Sequence, residues 1–206
     1  MCGRYVITNA VTKTAKIVKK SINVDDGENY NAYPEQKLPV IRNYSNGRAL
    51  ESLKWGIVPG WAKKNNIKAL INARLETVDT KPSFKNLIKK SRCVVVANGF
   101  YEWQRSEKNK MPYYVYRKDN KVLYLAGIHQ NNQFCLITEE ASNHFKSIHI
   151  RQPVILNEDN IKPYLNILNN GAMFLKNRKK IELDFYLISK DVNRPSNNSK
   201  SLIQKI

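Results

Sequence analysis

The sequence predicts an α+β fold, built on a curved, mostly antiparallel, barrel-like β-sheet with a few flanking helices. Residues 1–206 are expected to form a single domain. Three observations predict this. Short runs rich in β-branched and aromatic residues crowd the chain between Cys93 and Thr138. Helical spacing of apolar residues recurs only in brief stretches. No internal repeat, Gly/Ser linker or low-complexity block divides the chain. Many short strands with few interposed helices is the pattern of an α+β domain.

The elements follow in order. Thr8 and Asn9 precede Val11, Ala15 and Val18 at helical spacing, which predicts a capped helix. Pro34 and Pro39 flank a turn region, and Leu38–Ile41 reads as a short strand. Leu50–Val58 alternates imperfectly and stops at the Pro59-Gly60 turn signal. Ser83, Phe84, Leu87 and Ile88 predict a second helix, with Pro82 tolerated in its first turn. Strands are expected at Cys93–Val96, Tyr113–Tyr116, Val122–Leu125 and Phe134–Thr138. A helical turn at Ala141–Ile148 and a strand at Pro153–Leu156 come next. Asn157 then caps a helix carrying Ile161, Tyr164, Leu165 and Leu168 on its apolar face. A last strand at Asp184–Ser189 leads into a polar tail.

Composition narrows the function. The chain is long enough to bury a core without disulfides or metals. Lys and Arg number 35 against 17 Asp and Glu, a net charge of +18. The 11 Tyr and 3 Trp separate it from a disordered basic tail. A folded domain of this charge suits a polyanionic partner, nucleic acid first, with a merely Lys-rich surface as the plain alternative. No apolar run reaches about 18 residues, so no transmembrane helix is expected. The first residues lack the layout of a signal peptide. Three cysteines (Cys2, Cys93 and Cys135) make no disulfide scaffold and fit a reducing, cytoplasmic setting. The three histidines and three cysteines show no CxxC or HExxH pairing, so neither a metal nor a cofactor is expected.

The most informative residue is Cys2. Cysteine is small enough for an aminopeptidase to remove the Met1 before it, leaving an α-amine and a thiol on one residue. Their reference pKa values, about 7.7–8.0 and about 8.5, leave both partly unprotonated near neutral pH. Such a 1,2-aminothiol traps aldehydes. The amine forms an imine, the sulfur adds to it, and a thiazolidine ring closes. A small buried residue opening the first strand is the plainer account. Three polar residues in apolar settings raise the interest. Asn72 lies within Ile71-Asn72-Ala73-Arg74-Leu75, Glu102 between Tyr101 and Trp103, and His149 within Ser147-Ile148-His149-Ile150-Arg151. A carboxylate packed between aromatics is desolvated, and desolvation raises a carboxyl pKa and suits it to acid/base work. An ion pair for Glu102, a hydrogen-bonded core histidine and a turn asparagine are the corresponding structural accounts.

Several segments occur in a telling order. They are Met1-Cys2-Gly3-Arg4-Tyr5, Trp55-Gly56-Ile57-Val58-Pro59-Gly60-Trp61-Ala62, the Asn72 segment, Asn98-Gly99-Phe100-Tyr101-Glu102-Trp103 and the His149 segment. Together they closely resemble the SOS-response-associated peptidase (SRAP) family, the abasic site processing proteins. Tyr30-Asn31-Ala32-Tyr33-Pro34 resembles the family's Asn-x-Ala-Pro turn with one aromatic altered, and Val192-Asn193 its C-terminal motif. The resemblance spans nearly the whole chain. It implies that Cys2, exposed by loss of Met1, bonds covalently to an abasic site in single-stranded DNA through a thiazolidine. It further implies that Asn72 holds the sugar and amine, and that Glu102 and His149 are the acid/base pair. Arg4, Arg74 and Arg151 match arginines that grip flanking phosphates, and Trp61 an aromatic in the DNA groove. Gln152 stands where the family pattern has Arg or Met.

These roles are chemically coherent. An abasic sugar is mostly a closed hemiacetal, and opening it needs proton transfer at the ring oxygen, work for Glu102 or His149. Guanidinium forks take phosphate bidentately, and Trp61 can stack on a base or pack in the core. The expected partner is single-stranded DNA containing abasic sites, bound by a monomer with no membrane association, near the nucleoid in a bacterium. Two rivals remain. One is a thiol autopeptidase with Cys2 as nucleophile and His149 as base. The other is a single-strand binding module without covalent chemistry.

Overall fold

The computed structural model describes residues 2–60, 68–105 and 110–206. Strands come first as β1 (Tyr5–Ile7), β2 (Lys20–Ile22), β3 (Asn29–Ala32), β4 (Lys37–Tyr44) and β5 (Gly47–Trp55). Then follow β6 (Asn72–Arg74), β7 (Arg92–Ala97), β8 (Gly99–Arg105), β9 (Lys110–Arg117) and β10 (Leu123–Gln130). The last four are β11 (Gln133–Glu140), β12 (Arg151–Pro153), β13 (Ile155–Leu156) and β14 (Leu183–Leu187). Helices are short: α1 (Ala10–Thr14), α2 (Leu87–Lys90), α3 (Glu158–Leu165) and α4 (Gly171–Asn177).

The strands make two sheets. One runs β14-β9-β8-β1-β3. The other runs β12-β11-β10-β7-β4-β5-β2, with β13 on β10 and β6 on β11. Most pairings are antiparallel, but β11 also pairs β5 in parallel, Phe134 opposite Trp55. That contact closes β4, β5, β11, β10 and β7 into a ring, so the expected barrel-like sheet is present. Closure removes free edges. It also makes the ring strands read as apolar runs, because one cluster of buried side chains spans both sheets. Val94, Val95, Leu125, Phe134 and Leu136 from the ring meet Tyr5, Phe100 and Val115 from the other sheet.

Trp55 is the pivot of this core. It is fully buried, with ring centroids 5.0 Å from Tyr5 and 6.2 Å from Phe134. Its indole N–H donates to the Ile71 carbonyl at 3.0 Å. The next residue, Gly56, has φ +122°, a conformation that favours glycine, and its N–H donates to Phe134 O at 2.7 Å. The expected strand over Leu50–Val58 therefore ends earlier, at Trp55.

Four further expectations shift. The helix after Asn9 is only α1 followed by a 3₁₀ turn at Ala15–Ile17, and its end is not capped by its own side chain. Asn98 caps it instead, its Oδ1 accepting from Thr8 N (2.7 Å) and Ala10 N (3.1 Å) while its Nδ2 donates to Asn9 Oδ1 (2.7 Å). The helix expected at 83–88 shortens to α2. The helix after Asn157 ends at Leu165, leaving Leu168 89% exposed. The polar tail is not loose. Ile188, Val192 and Leu202 are buried against Val6, Tyr30, Tyr101 and Tyr114 on the outer face of the smaller sheet. Sparse apolar residues suffice there because the sheet already supplies the rest of that cluster.

Asn98 ties the loop before β8 to α1, so Asn98→Ala should destabilise the fold by about 1–2 kcal/mol. A chain of this size loses roughly 2–4 °C in Tm per kcal/mol. Thermal unfolding checks this, and an unchanged Tm would show the cap to be idle.

Candidate active site

The sheet order brings Cys2, Asn72 and Glu102 together from three distant parts of the sequence. Cys2 enters β1, which pairs antiparallel with β8, Tyr5 opposite Phe100. Asn72 opens β6, held on β11 with Leu136 as its partner. The Trp55–Ile71 hydrogen bond fixes the residue just before Asn72, and Leu136 N also donates to Ile71 O at 3.0 Å.

Asn72 reaches across to Cys2. Its Nδ2 donates to the Cys2 carbonyl at 3.0 Å, which sets the amide's orientation. Its Oδ1 is buried and accepts no hydrogen bond from a described residue. A buried acceptor without a donor is costly and marks a place where one is expected to arrive.

The Cys2 side chain is fully buried, its Sγ 3.8 Å from Arg4 O. Burial pushes the thiol pKa far above its ordinary range, and the Glu102 carboxylate pushes it further the same way. This corrects the expectation of a partly ionised thiol. The reference value belongs to a solvated cysteine, whereas here the sulfur is protonated at neutral pH.

Glu102 is also buried, 4% exposed, and its Oε1 accepts from Trp103 N at 3.3 Å. It does not pack between its sequence neighbours. Strand alternation sends Tyr101 and Trp103 to the outer face, and Glu102 to the opposite, inner face with Phe100. Two residues on, Gln104 follows the same alternation and donates from Nε2 to Ser147 O at 2.8 Å. Gln104 thus lines the same cleft as Asn72 and His149, a candidate that the sequence motifs do not single out although the period of two in β8 signals it.

His149 lies across a cleft of about 680 Å³ lined by Ile71, Asn72, Gln104, Lys146, Ser147 and Ile150. Its Nδ1 stands 3.0 Å from Arg151 N and 3.1 Å from Arg151 O. Arg151 N donates to that nitrogen in one tautomer, and Arg151 O accepts from it in the other.

The arginines divide. Arg74 is exposed. Arg4 is half-buried, its Nη1 donating to Asn31 Oδ1 (2.7 Å) and Val192 O (3.0 Å), with its guanidinium carbon 5.8 Å from the Tyr33 ring centroid. Arg151 already grips a carboxylate, Nη1 and Nη2 reaching the two oxygens of Glu76 at 2.7 and 2.9 Å. A phosphate at Arg151 would have to compete with Glu76. Gln152 is buried, donating to Glu139 Oε1 and accepting from Ser142 N, so its position is interior. Trp61 lies outside the described residues.

A family model described as SOS response associated peptidase (SRAP) matches residues 1–195. The chain belongs to the SRAP family. Its SRAP relatives include the abasic site processing protein YoqW of Bacillus subtilis, 32% identical over 99% of both chains. Abasic site processing protein HMCES of Xenopus tropicalis is 27% identical, covering 100% of this chain and 78% of that one. A crystal structure of a protein from Bacteroides thetaiotaomicron superposes over the full length of both chains, with a TM-score of 0.84 at 24% identity, and shows the same fold. The matched range covers the segments that carry Cys2, Asn72, Glu102 and His149.

The electrostatic coupling of Glu102 to Cys2 has a measurable sign. Removing the negative charge should lower the thiol pKa, with burial still holding it above the ordinary value. In Glu102→Gln, alkylation of Cys2 by iodoacetamide at one fixed mildly alkaline pH, located by mass spectrometry, should be faster than in the parent. An unchanged rate would separate the two groups.

Proposed function

We propose that this SRAP chain processes abasic sites by capturing them covalently in single-stranded DNA, through Cys2 once Met1 is removed. The observation that carries the reading is the unfilled acceptor at Asn72 Oδ1 beside the Cys2 backbone. A free α-amine on Cys2 is a suitable donor for it. The abasic site processing relatives support the substrate class.

The chemistry balances without a further reactant. The ring-opened sugar offers an aldehyde. The Cys2 amine adds to its carbon, and loss of one water gives the imine. The sulfur adds to the same carbon, the π pair moves to nitrogen, and the proton lost from sulfur ends on nitrogen. A buried, protonated thiol needs a nearby base for that transfer, and Glu102 is the carboxylate coupled to it. The same group, or His149 across the cleft, supplies the proton that opens the hemiacetal. Asn72 orients the amine. Arg4 and Arg74 take phosphates flanking the lesion, Arg151 does so by exchanging Glu76 for phosphate, and Trp61 stacks on a neighbouring base. Residues 1–206 act as one domain and as a monomer, in the reducing cytoplasm where Cys2 stays a free thiol.

Mixing the protein with an abasic oligonucleotide and running a denaturing gel tests the reading. The parent should give a shifted covalent band. Cys2→Ser, or a chain that keeps Met1, should lose the band and keep single-strand binding. Glu102→Gln should slow capture by about 10²–10⁴-fold. A band undiminished in Cys2→Ser would refute thiazolidine capture. Peptide cleavage with no band would point to a thiol peptidase, and binding alone to a non-covalent module.

Salt tests the phosphate contacts. Each phosphate neutralised on a single strand contributes a slope of about −0.7 to log K against log salt. Arg74→Ala should make the measured slope shallower by about that one contact. A slope identical to the parent's would remove Arg74 from the interface.

A further inference from the structure

Two segments of the sequence have no part in the chemistry above: the turn at Tyr30–Pro34 and the stretch beginning at Val192. In the fold they meet, around one buried side chain. Asn31 is 1% exposed. Its Oδ1 accepts from Arg4 Nη1 at 2.7 Å. Its Nδ2 faces three carbonyls, those of Val192 (3.4 Å), Arg194 (3.0 Å) and Asn197 (2.9 Å). Arg4 Nη1 closes the loop by donating to Val192 O as well, at 3.0 Å.

The same strap, residues 192–198, holds the neighbours of both reactive groups. Asn193 Oδ1 accepts from the Trp103 indole N–H at 2.8 Å. Asn198 Oδ1 accepts from Tyr30 N at 2.6 Å, and Tyr30 O accepts from the Tyr101 hydroxyl at 2.7 Å. Tyr101 and Trp103 flank Glu102 in β8. Arg4 lies two residues from Cys2, and its carbonyl accepts from Tyr101 N at 2.9 Å. The outer face of the sheet is thus pinned by the strap where its inner face presents Glu102 and beside the strand that Cys2 enters.

We propose that Asn31 is a positioning residue: it locks the 192–198 strap to Arg4 and so sets the Cys2 segment against the Glu102 strand. The chemistry of the position explains the residue type. It needs one acceptor for a guanidinium and N–H donors for backbone carbonyls, and a carboxamide supplies both. Aspartate keeps the acceptor but turns a second oxygen toward three carbonyls, and alanine offers neither.

The inference rests on covalent capture as the reaction, and its test keeps the two separable. Capture rates on an abasic oligonucleotide at saturating protein are compared with affinity for an intact strand. Asn31→Ala should slow capture about 10–100-fold through misplacement of the reacting groups, with little change in affinity. Asn31→Asp should be slowed like Asn31→Ala, because its N–H donors are gone. Arg4→Ala combined with Asn31→Ala should be no slower than the slower single variant, since the two act as one unit. Parent-like capture by Asn31→Ala, or single effects that multiply in the double variant, would overturn the proposal.

Hydrogen exchange supplies a readout independent of activity. Asn31→Ala should speed exchange across residues 2–7 and in the strap, and unchanged exchange would overturn the clasp. If Asn31→Ala does not fold, Asn198→Ala and Trp103→Phe each remove one strap tie and should show the same pattern in weaker form. If the parent captures nothing, the capture reading fails, and exchange still decides whether Asn31 holds the two segments together.

Discussion

The candidate site hangs on the closure of the ring at β5 and β11, and that closure is organised by one indole. Trp55 packs between Tyr5 and Phe134 and donates to the Ile71 carbonyl. It therefore touches the strand entered by Cys2, the strand that closes the ring, and the segment that presents Asn72. A large aromatic contributes through buried area, but its N–H must find an acceptor when water is excluded. Meeting that need at Ile71 aligns the following residue with the Cys2 carbonyl.

The electrostatic character of the site follows from the same burial. The chain carries a net charge of +18, yet the groups around Cys2 are a neutral thiol, an amide and a carboxylate. The candidate phosphate-binding cations stand around it, as exposed Arg74, Arg151 paired with Glu76, and half-buried Arg4. A water-poor interior strengthens each remaining dipole and charge. It also keeps the thiol protonated, with the Glu102 carboxylate raising its pKa further.

The clasp around Asn31 joins the two ends of the chain. The stretch after β14 has few apolar residues, and its polarity reads as a tail. It is anchored instead by backbone carbonyls that converge on a single amide, with Val192 and Leu202 filling the outer cluster. Convergence of that kind depends on the approach of segments more than 150 residues apart, as the Arg4 to Val192 hydrogen bond illustrates with a separation of 188.

Local features were legible in the chain alone. The valine run at 93–96 and the aromatic strand at 113–116 are products of neighbouring residues, and each occurs close to its expected place. So are the reactive candidates, because Cys2, Asn72, Glu102 and His149 stand out by type and setting, and the ordered segments around them carry the family resemblance. Direction and partnership were not legible. Glu102 sits between two aromatics in sequence and across the sheet from both in space. The Cys2 thiol has an ordinary pKa as a residue and a strongly raised one as a buried group. Arg151 reads as a free fork and is engaged by Glu76. Each of these depends on which face of a strand a side chain takes and which distant strand lies opposite. Those are set by sheet register and ring closure, which arise only when the whole core packs.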